Sequence, residues 1–261
     1  MEKTTGGEDA VMWATNSRSL TERLIFVVLL LPSGAALAQD YPYWFFNQAS
    51  VRCKRVAVGY AKSSFYPDSA AARAIRNGYE NYARQRCTEV GGGQTFWNTE
   101  MGMFWMESNF VEKFDSTVIA SAASVLTPKD TLVTDEFICV LLGGSGCIVD
   151  PWYRDEQSPK DLPSPAWIEE IPEDSNYCYG IGVAPQYFYE TSSWAEAEKL
   201  ARRNLARAVY TQLQAIQKLG YQGQEILHER TAVVLKNVEI VSRWRDLEQE
   251  IFYVLVRMPK P

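Results

Sequence analysis

The chain states one pattern twice, and no other feature limits its fold as much. Laid without a gap over Pro165–Arg207, the segment Pro42–Arg84 returns 12 identities in 43 positions, where about two or three are expected by chance. Pro42, Trp44, Gly59, Ala61 and the pair Phe65-Tyr66 meet Pro165, Trp167, Gly182, Ala184 and Phe188-Tyr189. Ser69, Ala72, Ala74, Asn81, Ala83 and Arg84 then meet Ser192, Ala195, Ala197, Asn204, Ala206 and Arg207. Such self-similarity is the signature of a supersecondary unit used twice.

Each copy reads as a strand, a helix, and two or more antiparallel strands. In the second, Tyr177–Ala184 is a short β-rich run closed by Pro185, and Ser193-Trp194-Ala195-Glu196 has the form of a capping box at a helix start. Ala197, Ala201, Leu205, Val209, Leu213 and Ile216 recur every three or four residues, one apolar stripe on a helix ending near Gly220. A long β-leaning segment, 225–246, and a strong final strand, Glu250–Val256, complete the copy. In the first copy the equivalents are Arg55–Ala61, a helix from about Ser69 to Cys87, and Phe137–Leu142. Gly91-Gly92-Gly93 reads as the C-cap and turn after that helix; it lacks the following helix and Lys-Ser/Thr of a phosphate loop. The pattern predicts an α+β protein of two similar modules, each a small antiparallel sheet with one long amphipathic helix on one face.

The boundaries follow from composition. Arg18 and Arg23 precede the apolar run Leu24–Leu31, and Ala36-Leu37-Ala38 is a small-residue cleavage pattern, so residues 1–38 read as a secretory signal cut before Gln39. The run is too short to span a bilayer, which takes about 20 apolar residues. The polar residues 1–11 make Met12 an alternative start. Residues 39–148 form the first module, the Pro-rich stretch 149–163 a linker, and 164–261 the second module. The whole chain carries a net charge of −6, too mildly acidic for a nucleic-acid footprint.

Chemistry-bearing residues are sparse. All five cysteines lie beyond the signal, where disulfides persist. Cys139 and Cys147 could close a loop across Gly143–Gly146, although small buried thiols are an equal alternative. Without a CxxC and with one histidine, a Cys/His metal cluster is not expected, nor is a cofactor. His228 has glutamates nearby but no nucleophile motif to serve, since Gly143-Gly144-Ser145-Gly146-Cys147 lacks the last glycine of a nucleophile elbow. It reads as an ordinary strand or loop histidine. Adjacent carboxylates such as Glu169-Glu170 and Glu173-Asp174 sit in a Pro-bounded polar stretch and read as a solvated loop.

Aromatic residues are the other candidates. Phe96, Trp97, Phe104, Trp105 and Phe110 crowd the part in which the first copy is longer, and are candidates for a partner surface, for glycan contact, or for a core between the copies. Phe65-Tyr66 and Phe188-Tyr189 recur just before each helix, and recurrence at one position is expected to mean packing of the strand-to-helix corner.

Pro165–Ile168, Tyr179–Ala184 and the Ala/Glu/Arg-rich stretch Trp194–Arg203 together resemble the "lipoprotein-twenty" (LPP) family of bacterial envelope proteins, which includes flagellar outer-membrane-associated proteins of the FlgP and FlgT kind. The resemblance covers the second copy best. It implies a compact α+β module in a non-enzymatic cell-envelope assembly, and it brings no catalytic residue. Lipoproteins of that family carry a cysteine directly after the signal, where this chain has Gln39, so a lipid anchor is not expected. The expectation is an exported protein of the periplasm or outer-membrane periphery that binds envelope proteins or itself. The competing expectation is a periplasmic glycan-binding protein or enzyme using a groove between the copies.

Overall fold

The repeat is visible in the structure, a computed structural model that describes residues 40–99, 102–217 and 227–260, with side chains not described for 93–109, Glu156 and 211–231. The signal segment therefore lies outside the described residues. In chain order the elements are α1 (Tyr43–Phe46), β1 (Val56–Lys62), α2 (Pro67–Arg86), β2 (Cys87–Thr99), β3 (Gly102–Phe114), α3 (Thr117–Val125), β4 (Leu126–Val133) and β5 (Phe137–Gly144) in the first half. In the second half they are β6 (Tyr177–Pro185), α4 (Glu190–Gln217), β7 (Leu227–Lys236), β8 (Glu239–Asp246) and β9 (Ile251–Pro259). The protein is α+β: one antiparallel sheet in the order β1-β5-β4 carries α2, and its counterpart β6-β9-β8 carries α4.

Most repeated residues explain themselves in these two sheets. Gly59 and Gly182 lie where helix meets sheet. A Cβ on Gly59 would stand 2.1 Å from the Ala74 carbonyl oxygen, and one on Gly182 would stand 1.8 Å from that of Ala197. Only a missing side chain lets each helix lie so close. Seven residues further along each helix, Asn81 donates to the Val58 carbonyl at 2.9 Å, and Asn204 donates to the Ile181 carbonyl at 2.8 Å. The same side chain thus ties helix to strand at the same place in both copies. Arg84 and Arg207 also act alike, their guanidinium carbons lying 4.4 Å and 5.4 Å from the rings of Phe114 and Phe110 on β3.

The copies do not stand apart. A third sheet, β3-β2-β7, joins them, because β2 and β7, the strands that follow the two helices, pair antiparallel with each other through Val90↔Val233. Like element meeting like element in opposite directions is what an approximate two-fold between copies produces. The glycine run corrects the expected helix cap. The chain is already extended at Cys87, so Gly91–Gly93 fall inside β2, with β3 on one side and β7 on the other. The capping box is corrected too: α4 starts at Glu190, and Ser193 Oγ instead accepts the Tyr187 N–H at 2.7 Å.

One hydrophobic core serves both halves, and residues 38–261 form one compact unit. Sheet β1-β5-β4 is covered on one face by α2 and α3 through Ala57, Ile138, Val140 and Leu142. Its other face adds Val58, Tyr60, Cys139 and Leu141 to the shared core, which is why β5 is buried along its entire length. The segment Tyr41–Phe46 is driven into that core: Phe45 stacks on Tyr41 at 4.4 Å and meets Trp194 of α4 edge-on at 5.3 Å. The 149–163 stretch is docked as well, with Tyr153 buried and its hydroxyl donating to the Ser50 carbonyl at 2.7 Å.

At the centre lies an ion pair. Arg243 of β8 is 1 % exposed and Glu198 of α4 is 2 % exposed. Arg243 Nη2 reaches Glu198 Oε1 at 2.8 Å and Gln48 Oε1 at 3.2 Å, while Nη1 donates to the Phe45 carbonyl at 2.8 Å.

Two measurements check this packing. In urea denaturation, Gly59→Ala or Gly182→Ala is expected to cost about 1–3 kcal/mol or more by overpacking, whereas Gly91→Ala, which meets open space, stays within about 0.5 kcal/mol. Arg243→Met, which strands the Glu198 carboxylate, is expected to cost about 3–5 kcal/mol, and adding Glu198→Leu is expected to restore most of it.

Candidate functional site

Two turns at one end of the molecule expose what the sequence pattern placed in the core. After β1, the Ser63 N–H donates to the Glu136 carbonyl at 2.9 Å. Ser64 Oγ and the backbone of Tyr66 then close a tight turn, and Pro67 opens α2 at its first position. The second copy builds the same corner, its Gln186 N–H donating to the Glu250 carbonyl at 2.8 Å. These bonds bind the backbone of each corner to the neighbouring strand turn and leave the rings outside. Phe65 is 91 % exposed and Phe188 is 92 % exposed, with Tyr66, Tyr187 and Tyr189 exposed beside them. The expected packing of the strand-to-helix corner is thus overturned for the two phenylalanines: main-chain bonds fix the backbone of the corner, and both rings stand in solvent.

The two corners are neighbours. The ammonium of Lys62, at the end of β1, sits 4.0 Å from the centre of the Tyr189 ring. Within each corner the rings meet edge-on, Phe65 with Tyr66 at 5.3 Å and Phe188 with Tyr189 at 4.8 Å, so each pair is a preformed knob rather than two free side chains.

Carboxylates stand in the strand turns to which the corners are bonded: Asp135 and Glu136 between β4 and β5, and Glu248 and Glu250 after Asp246, which ends β8. Beneath them, Glu190 accepts from the Tyr41 hydroxyl and from Arg245 Nη1 at 2.9 Å. Burial raises the Glu190 carboxyl above its ordinary pKa against the pull of Arg245, and nearby Glu136 adds to the rise. The tie from Tyr41 through Glu190 to Arg245 anchors the start of α4 to the core, so the second knob stands on a rigid base. Chemically the end offers exposed π faces and negative charge. It suits a partner that presents lysine or arginine with some apolar surface.

The residues singled out from sequence fall elsewhere. Phe96, Trp97, Phe104 and Trp105 lie on the β2–β3 hairpin, where Phe96 pairs with Trp105 and Trp97 with Phe104; their side chains lie outside the described residues. Phe110 is half-buried under Arg203 and Arg207 of α4, at 5.0 Å and 5.4 Å, so it contacts the other copy. His228 is placed on β7 opposite Thr95, and its side chain is not described. Glu169, Glu170 and Glu173 are exposed. No cluster of three His, Cys, Asp or Glu arranged to hold a metal occurs among the described residues, and no helix among them is long and apolar enough to cross a membrane.

The disulfide is formed, with a different partner. Cys147 pairs with Cys53, not with Cys139. Cys139 points from the middle of β5 into the core, fully buried, whereas Cys147 lies just past the end of that strand beside the segment leading into β1. Strand alternation and extension, not loop length, decide which thiols can meet. Burial pushes the Cys139 thiol far above its ordinary pKa, so it is inert. The exposed corners, missed by sequence reasoning, had one signal: two large aromatics recurring in a turn, where apolar side chains seldom find cover.

Compared with family models, with curated proteins and with solved structures, the chain matches none.

Peptide mapping without reductant is expected to recover Cys53 linked to Cys147. In the folded protein, a thiol reagent is expected to label the half-exposed Cys87 and to leave Cys139 untouched until denaturant is added; rapid labelling of Cys139 would contradict its burial.

Proposed function

We propose that this chain is an exported, non-enzymatic protein of the cell envelope that acts as an interaction module, in an assembly of the flagellar or other outer-membrane-associated kind implied by its resemblance to the lipoprotein-twenty family. The observation that carries the reading is the pair of Phe-Tyr knobs, exposed on corners whose backbone is bonded to turns that carry carboxylates. Solvent-exposed aromatics built twice into one scaffold cost solubility, and a protein keeps such a patch where it meets a partner. Arg and aromatic side chains supply most of the energy of protein interfaces, which fits a basic partner surface here.

A periplasmic location accords with the signal-like segment at residues 18–38 and with the disulfide. The repeat serves this role directly. One scaffold used twice places two identical docking pairs on the same end, so a partner that engages both gains the advantage of two linked contacts.

The test replaces Phe65 and Phe188 together by Ser in the full-length chain and follows photo-crosslinking from position 189 in the envelope fraction. The parent chain is expected to give a discrete crosslinked species and the double variant to lose it, with the melting temperature within about 2 °C because neither ring supports the core. A double variant that crosslinks as well as the parent would remove the basis of the reading.

A further inference from the structure

The opposite end of the molecule carries a second feature, independent of the corners. Between the copies lies a cleft of about 150 Å³. The first copy contributes Lys54 and Arg55 ahead of β1, and Gln85 and Arg86 at the end of α2; the second contributes the β7–β8 turn and Arg257 of β9. The cleft exists only because the copies are joined, since the backbone N–H of Val238 donates to the Gln85 carbonyl at 2.8 Å across the seam.

Its charge is one-sided. Lys54, Arg55, Arg86 and Arg257 line it against a single carboxylate, Glu239, which is taken up by Arg257 at 2.8 Å. Lys54, Arg55 and Arg86 have no ion-pair partner among the described residues. Lys54, Arg55 and Arg86 therefore line a space whose one carboxylate is already engaged.

The lining is held in place. The Cys53–Cys147 disulfide fastens the segment carrying Lys54 and Arg55 to the end of β5. On the other side, Asn237 adopts φ of 54°, the left-handed conformation that Asn tolerates in a tight turn, and its Oδ1 accepts from Arg86 Nη1 at 2.7 Å. Arg86 is thus aimed by a residue of the other copy. A guanidinium held in this way presents a fork of donors that matches the geometry of an oxyanion.

We propose that this cleft is a binding site for the oxyanion group of a small molecule, a phosphate or a carboxylate, with Arg86, Arg55 and Lys54 neutralising its charge. The volume admits one such group with few atoms beyond it, so the ligand is recognised by its charged end.

The test is calorimetric titration of the full-length protein with inorganic phosphate and, separately, with malonate, at constant ionic strength. Saturable binding of phosphate alone identifies a phosphate site and of malonate a carboxylate site. Arg86→Gln and Lys54→Gln are each expected to weaken binding about 5-fold to 10-fold. Arg52→Gln alters a cation outside the cleft and is expected to change nothing. The proposal is overturned if neither anion binds saturably, or if Arg52→Gln weakens binding as much as Arg86→Gln, which would mark diffuse attraction to a basic surface.

Discussion

The Arg243–Glu198 pair is the constraint on which the rest of the arrangement depends. Two charges withdrawn from water cost several kcal/mol each, and only a complete set of partners recovers that cost. The set is drawn from three places: α4 supplies the carboxylate, the N-terminal segment supplies the Phe45 carbonyl and the Gln48 amide, and β8 supplies the guanidinium. Arg243 also lies over the Phe45 ring at 4.6 Å. Arg243 and Glu198 meet within the second copy, and the remaining guanidinium hydrogens are satisfied by Phe45 and Gln48 of the first. The pair therefore specifies how the second copy sits against the start of the first, in a core where apolar contacts alone would accept several arrangements.

Around that centre the duplicated scaffold divides its labour between ends. At one end, main-chain bonds to strand turns free the side chains of the corners for display. At the other, the disulfide and the Asn237–Arg86 bond fix cations around a narrow seam. Both ends owe their geometry to the shared third sheet, which locks β2 to β7 and sets the copies in register. An ion pair that crosses between the copies reinforces this: Arg202 of α4 grips Glu112 of β3 with bonds of 2.8 Å and 3.1 Å, both side chains largely buried. An inserted strand in one copy thus became the clamp for the helix of the other.

The repeat made much of this legible, and particular residues show where legibility stops. Gly59 with Gly182, and Asn81 with Asn204, are identical because the same helix packs on the same strand, a local requirement that sequence comparison within one chain exposes. Phe65-Tyr66 and Phe188-Tyr189 are identical too, yet identity alone does not separate a ring that packs from a ring that is displayed. Cys139 and Cys147 looked close along the chain and are held apart by the extension of β5, while Cys53 reaches Cys147 across a sequence separation of 94 residues. Gly91–Gly93 resembled a cap because the pattern could not show that α2 runs straight into a strand paired on both sides.

The sequence by itself determined the elements of this protein: two strand-helix-strand units, their order, the faces of their helices, and the small residues where helix and sheet touch. These follow from periodicities of two and of 3.6 residues and from local steric demands, which act within a few neighbouring residues. Only the tertiary structure decided how the units join, which cysteines meet, which aromatics are buried and which stand in water. Those outcomes depend on contacts between residues some 100 to 200 positions apart, such as Phe45 with Arg243, separated by 198. A long-range contact leaves no periodic trace in the chain; it arises when buried charge, unpaired strand edges and apolar faces must all be satisfied at once.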